Sequence, residues 1–269
     1  DVYKRQTQYA VIDNFLVFKF WAGEQLAYMM PVGSGDLKAI LRELIEDADK
    51  EKHNFCMLGV CSNMRADLEA ILPGQFTFTE NRDYADYIYL RSDLATLKGK
   101  KFQAKRNHIN RFRNTYPDYE YTPITPDRIQ ECLDLEAEWC KVNNCDQQEG
   151  TGNERRALIY ALHNFEALGL TGGILHVNGK IVAFTFGMPI NHETFGVHVE
   201  KADTNIDGAY AMINNEFANH IPEQYIYINR EEDLGLEGLR KAKLSYQPVT
   251  ILEKYMACLK DHPMDIIRW

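Results

Sequence analysis

The sequence predicts an α/β fold in which one order of strands and helices occurs twice. Two apolar runs flank a polar turn in "YAVIDNFLVFKF" near the start and again in "ILHVNGKIVAFTFG" in the second half, and the segments that follow each keep the same succession. Short runs rich in Val, Ile, Phe and Tyr alternate throughout with stretches of helical period, which is the pattern of mixed α/β chains.

In the first half, Asp13-Asn14 sits between two apolar runs and predicts a hairpin, with "QLAYMMPV" as a third strand. Leu37, Ile40, Leu41, Leu44, Ile45 and Ala48 then recur at helical spacing. "FCMLGV" reads as a buried strand, "NMRADLEAIL" as a short helix stopped by Pro73-Gly74, and "FTFT" and "YIYL" as closing strands. The expected order is β-β-β-α-β-α-β-β.

In the second half, "YEYTPI" reads as a strand, and Thr125-Pro126 as the cap and first-turn proline of a helix reaching about Lys141. A second helix is expected from the cap Asn153, with Leu158, Ala161, Leu162 and Phe165 on one face and Gly169 at its end. Asn178-Gly179 is the strongest short hairpin signal in the chain. "TFGVHVEKA" follows as a strand, then a helix from near Asp207-Gly208 carrying Met212, Ile213 and Phe217. Strand "YIYI", helix "LGLEGLRKAKLSY" and strand "VTILEKYMA" close the half. The second half therefore opens with a β-α-α that the first lacks. Residues 1–117 are expected to form a truncated first repeat ending in a basic linker helix, and 118–269 a second repeat. "DVYKRQ" reads as adapter-derived sequence and is left out of the fold.

At 269 residues and 45% hydrophobic, the chain is long enough for two ordinary cores. A net charge of -9 argues against a protein coated in basic charge for bulk nucleic-acid binding. Six cysteines without a CxxC pair point to free thiols in a reduced, cytoplasmic protein. No run approaches a membrane span, and the Asn107-His108 and His192-Glu193 pairs make no metal site. Trp139 is expected in the core.

Three stretches carry chemistry. In "NREEDLGLEGLRKAKLSY", helical phase puts Arg240 and Lys243 in one sector with Leu236 and Leu239, so both cations are expected on the inward apolar face. Such charges need partners. Glu231, Glu232 and Asp233 can supply them as an ion-pair network, or leave one cation for a phosphate or an oxyanion. In "GVHVEKA", His198 and Glu200 are two apart on a strand and point to one side, where either can accept a proton. The third stretch is "LKGKKFQAKRNHINRFR". It holds Lys98, Lys100, Lys101, Lys105, Arg106, Arg111 and Arg113 without one acidic residue, in a chain with 30 basic and 39 acidic residues. It reads as a track for a phosphate backbone, for anionic lipid headgroups, or as a helix paired with acidic neighbours.

The β-α-α-β-β-β-α-β-α-β order resembles the GCN5-related N-acetyltransferase (GNAT) fold, here in tandem. "GKKFQAKRNHINRF", "HVEKADTNIDGAY" and "NREEDLGLEGLRKAKLSYQP" resemble the DUF2156 family, which is similar to the C-terminal domain of phosphatidylglycerol lysyltransferases and more distantly to Fem-type aminoacyltransferases. The resemblance implies an acyltransferase that moves an aminoacyl group from aminoacyl-tRNA to an amine or hydroxyl acceptor, a lipid headgroup or a peptide-linked wall precursor. It also implies Glu200 as base, His198 as the second candidate, and Lys243 or Arg240 on the oxyanion or a phosphate. Asn229, Glu231, Glu232, Asp233 and Tyr246 of the last motif are expected to bind substrate. No cofactor is required, because the ester is already activated.

An acyl-CoA enzyme of this fold is the alternative. It would need a glycine-rich pyrophosphate turn, where this chain has "KADTNIDGAY" with Asp203 and Asp207. A non-catalytic RNA- or phosphate-binding protein on the same scaffold is the other.

Overall fold

The computed structural model describes residues 7–23, 25–143 and 149–260. In chain order these form β1 (Gln8–Ile12), β2 (Phe15–Ala22), β3 (Gln25–Met29), β4 (Val32–Gly33), α1 (Leu37–Lys50), β5 (Cys56–Val60), α2 (Ser62–Ile71) and β6 (Phe76–Glu80). Next come β7 (Asp86–Leu90), α3 (Arg91–Thr96), α4 (Gln103–Thr115), β8 (Glu120–Pro123), α5 (Ile129–Asn143) and α6 (Glu149–His163). The chain continues with β9 (Thr171–Val177), β10 (Lys180–Pro189), β11 (Thr194–Ala202), α7 (Ala209–His220) and β12 (Tyr227–Asn229). It closes with α8 (Glu237–Leu244), β13 (Thr250–Leu252) and β14 (Tyr255–Leu259). Helix α6 starts at Glu149, ahead of the cap expected at Asn153, whose side chain lies outside the described residues.

Two compact units result, one of residues 1–85 with 252–269 and one of 86–251. In the first, the sheet runs β1-β2-β3-β5-β14-β6, with β4 beside β2. Asp13 and Asn14 both take positive φ (45° and 67°), as a two-residue hairpin turn demands. Helix α1 is capped by Asp36, whose carboxylate accepts from the Ala39 amide at 3.1 Å, and buries Ile40, Leu41, Leu44, Ile45 and Ala48. Those are the positions that the periodicity selects, together with Leu37 at the margin of the core.

The second unit's sheet runs β8-β9-β10-β11-β12-β7-β13. Asn178 (φ 52°) and Gly179 (φ 72°) make the β9–β10 turn. Helices α4 and α7, with Phe102 just ahead of α4, pack Ile109, Phe112, Met212 and Ile213 against Leu175 and Ala183. Helices α5 and α6 pack Cys132, Leu135, Leu158 and Leu162 against Ile174, Phe184 and Phe186. The two sheets repeat one plan: β1, β2, β3, β5, β14 and β6 take the places of β9, β10, β11, β12, β7 and β13. The parallel pair β3–β5 matches the parallel pair β11–β12.

Two expectations change. The division does not fall at 117/118. "YIYL" joins the second unit's sheet as β7, antiparallel to β12, and "VTILEKYMA" breaks into β13 and β14, of which β14 pairs with β5 and β6 in the first unit. Each sheet is thus completed by a strand from the other half of the sequence. Helix α4 is accordingly no linker but part of the second core.

The cysteines differ as well: Cys56 and Cys258, directly opposed on β5 and β14, form a disulfide, while Cys61, Cys132 and Cys140 are free and Cys145 lies outside the described residues. Antiparallel neighbours in register bring two Cα atoms within bridging range, here 4.1 Å, which no spacing in the sequence announces. Reduction should lower stability by about 2–4 kcal/mol. Thermal unfolding with and without dithiothreitol checks this, and Cys258→Ser should show the lower midpoint in both conditions.

Among the described residues, no helix is long and apolar enough to cross a membrane.

Candidate active site

Strands β11 and β12 are hydrogen-bonded in parallel only from Thr194–Gly196 against Tyr227–Asn229. Beyond that point the ladder ends, and β11 runs on from Val197 paired with β10 alone. The register of β11 against β10 skips His198: Phe186 faces Val199 and Gly187 faces Val197. His198 is therefore the extra residue of a β-bulge, a device that re-aims a side chain. The simple alternation expected for His198 and Glu200 does not hold across it. Val197 packs with Phe217 of α7 and Val199 with the α5/α6 cluster, although they are two residues apart.

An arginine–carboxylate ion pair and a histidine–carboxylate hydrogen bond span the opening between the strands. Arg230 Nη2 donates to Glu200 Oε1 at 2.9 Å, both side chains being nearly buried. His198 Nδ1 lies 2.6 Å from Glu231 Oε1, with the imidazole 30% exposed. Glu200 Oε2 also accepts from Asn214 of α7 at 3.0 Å, so both its oxygens are engaged. Glu231 is held at φ 57°, a left-handed conformation that costs a non-glycine residue about 1–3 kcal/mol. Asn229 fixes it: its Oδ1 accepts from the Glu231 amide at 2.7 Å and its Nδ2 donates to Asp86 at 3.0 Å.

Two cations of α8, Arg240 and Lys243, are spent on this loop. Lys243 is buried and donates to the carbonyls of Arg230 (2.6 Å), Glu231 (3.2 Å) and Glu232. Burial first, and then the nearby Arg230, bring its pKa down to about 8, against the pull of Glu231, Glu232 and Asp86. Arg240 makes a two-point bond to the fully buried Asp233, Nε and Nη2 each at 2.8 Å. Those bonds, and the hydroxyl of Tyr87 at 2.5 Å, hold the Asp233 carboxyl well below the ordinary range. Arg240 and Lys243 do share an inward face, as their phase predicts. The leucines do not follow: Leu236 is 56% and Leu239 38% exposed, so Lys243, not an apolar stripe, seats the helix.

The basic segment also divides. Lys101 pairs with Asp93 (2.9 Å), Arg111 with Asp207 (2.7 Å) and Arg113 with Glu216 (3.6 Å). Arg106 donates to the carbonyls of Leu97 and Gly99, closing the turn before α4. Lys98 and Lys100 stand exposed with no ion pair among the described residues. Lys105 turns inward, its ammonium 3.8 Å from the centre of the Tyr246 ring. Arg230 lies over the same ring at 4.8 Å and over Tyr89 at 5.7 Å. Lys105, Arg230, Glu200, Tyr89 and Tyr246 thus form one cluster beside the His198–Glu231 pair.

Arg230 and Asn214 were not singled out from the sequence. The signals were an arginine at the end of "YIYI" and an asparagine on the apolar face of a helix with Met212, Ile213 and Phe217. Trp139 is half-buried, not core: its Nε1 donates to the Tyr210 hydroxyl at 3.0 Å and Lys201 sits 3.7 Å over its ring.

At the start of α7, Gly208 (φ 84°) is the cap, and the helix has no side-chain cap bond, Asp207 being drawn to Arg111 instead. A Cβ at Gly208 would meet the His108 carbonyl oxygen at 2.8 Å and Phe112 Cβ at 3.1 Å, so α4 lies directly against this helix end.

The two repeats define a tandem GNAT-like class of protein. Residues 3–258 match the family model for the C-terminal region of phosphatidylglycerol lysyltransferase, and the chain belongs to that family. It is similar to the crystal structure of a conserved protein of unknown function from Bacteroides thetaiotaomicron, at 93% identity and TM-score 0.93, covering 96% of this chain and 87% of that one. It shares the fold of the L-PGS structure from Bacillus licheniformis, at 18% identity and TM-score 0.66, over 98% of this chain and 86% of that one. An uncharacterised protein of Mycoplasmoides gallisepticum is 26% identical over 64% of this chain, which spans 55% of that protein's length.

Proposed function

We propose that the second unit transfers an aminoacyl group from aminoacyl-tRNA, in the cytoplasm, to an amine or hydroxyl acceptor. The observation that carries the reading is the His198–Glu231 dyad at the unpaired ends of β11 and β12. With Nδ1–H donated to Glu231, the imidazole presents the Nε2 lone pair outward, which is the arrangement of an oriented general base. Glu200, the base expected from the family resemblance, serves instead to hold Arg230, because both its oxygens already accept hydrogen bonds. In the step proposed, His198 Nε2 takes the proton of the attacking group as it bonds to the ester carbonyl. The carbon–oxygen bond to the ribose then breaks, and the proton passes to the departing ribose hydroxyl. No metal and no covalent enzyme intermediate enter this scheme.

An aminoacyl ester is favoured over acyl-CoA by the start of α7. The helix end that would cradle a pyrophosphate is packed against α4 and flanked by Asp203 and Asp207, which disfavour an anion there. Asn229 and Asp233 act in this reading through the loop that they shape, and Arg240 and Lys243 as its clamps. Lys98 and Lys100 remain as surface charges for a phosphate backbone or an anionic lipid surface.

Incubation with charged tRNA and mixtures of lipids, peptides and wall precursors, read by mass spectrometry, tests the proposal. An acceptor should gain the mass of one aminoacyl residue with the wild type and not with His198→Ala. Acylation from acyl-CoA alone would overturn it.

A further inference from the structure

The cluster beside the dyad carries more positive than negative charge. Among the described residues Arg230 has one carboxylate partner, Glu200, and uses Nη2 for it. Its Nη1 is buried and has no hydrogen-bond partner among the described residues, a costly state for a donor. Lys105 has no hydrogen-bond or ion-pair partner among the described residues and rests on the Tyr246 ring face. We infer that Lys105 and Arg230 form an anion site for the phosphodiester of a substrate, seated over Tyr246 and Tyr89 next to His198.

The groups facing Lys105 are Arg230, Glu200 and Tyr246, and behind Arg230 stands Tyr89. Burial and then the Arg230 charge lower the Lys105 pKa to about 8, against the pull of Glu200. A cation so placed gains an anion's company at little desolvation cost, because its water is already largely removed. A phosphodiester fits the donor inventory. It offers two anionic oxygens that can be reached from different sides, one for the ammonium and one for Arg230 Nη1. The inference rests on the transfer reading for its choice of ligand. An aminoacyl-tRNA carries a phosphodiester within one nucleotide of its ester, and a glycerophospholipid headgroup carries one within a few bonds of its hydroxyls.

Calorimetric titration with three probes tests the site: inorganic phosphate, the dinucleotide cytidylyl-adenosine, and glycerophosphoglycerol. At least one diester should bind the wild type, and Lys105→Met should weaken it about tenfold or more. The surface variant Lys180→Ala should bind as the wild type does. Affinity for the diester should fall as pH rises through about 8, where Lys105 loses its proton, and this dependence should vanish in Lys105→Met. Preference for the dinucleotide assigns the site to the donor, and preference for the headgroup to the acceptor.

Equal binding by Lys105→Met, loss only in Lys180→Ala, or no binding of any probe at millimolar concentration overturns the inference. Diester binding through Lys105 without any transfer product sinks the proposed reaction and keeps the site. Transfer that is unchanged by Lys105→Met does the reverse.

Discussion

Asp233→Ala should lower the unfolding free energy by about 3–5 kcal/mol, the range for breaking a buried ion pair from one side. The lower end is expected. Arg240 is 32% exposed and recovers part of its hydration once released. The other losses are not recoverable: the Tyr87 hydroxyl sits on a fully buried ring, and the Gly235 amide, 2.9 Å from Asp233, loses its acceptor. Urea denaturation of the variant beside Arg240→Ala and the double variant gives the coupling energy of the pair directly.

The pH dependence carries the same signature. A carboxyl held below its unfolded value contributes fully above the ordinary carboxylate range, and the contribution is lost as pH falls through the depressed folded value. Stability of the wild type should therefore fall more steeply below about pH 4 than that of Asp233→Ala. Parallel curves for the two proteins would show that Asp233 is not the group responsible.

How much of this could be read from residues alone follows from how local each signal is. The hairpins at Asp13-Asn14 and Asn178-Gly179 and the helix over residues 37–50 depend on a few neighbouring side chains, and they form where local patterning puts them. The strand exchange does not. β7 finds β12 and β14 finds β5 across most of the chain, and nothing in "YIYL" or "KYMACL" distinguishes one sheet from another. The same non-locality hid the disulfide.

At the site, helical phase located Arg240 and Lys243, and the acidic run before them held the partner of Arg240, Asp233, but not the acceptors of Lys243. A lysine whose acceptors are three consecutive backbone carbonyls leaves no trace in the pattern of side chains, and on an eight-residue helix the leucines were free to face solvent. The bulge at His198 was invisible to a period of two for a related reason: an inserted residue looks, in one dimension, like any other. What it does is separate His198 from Glu200, and this lets one strand supply both a group that faces outward and a buried counterion.

That separation yields the second large expectation. His198→Ala should reduce the transfer rate by about 10²–10⁴-fold, the usual contribution of a positioned general base, with little change in thermal midpoint. Its ring is 30% exposed and its partner Glu231 is 41% exposed, so removing it leaves no buried charge stranded. Glu200→Gln should behave differently. The nearly buried Arg230 would lose the only carboxylate among the described residues that faces it at bonding distance, a penalty on the order of 3 kcal/mol, and activity would fall together with stability.

Glu231→Gln keeps a hydrogen-bond acceptor at Nδ1 without the charge and should slow transfer less than His198→Ala does. Single-turnover rates and melting curves on the three variants separate the roles. If Glu200→Gln abolished the reaction at full stability while His198→Ala left the rate within a few-fold of wild type, the proton would be leaving through the carboxylate, and the dyad would be only a brace for the strained turn at Glu231.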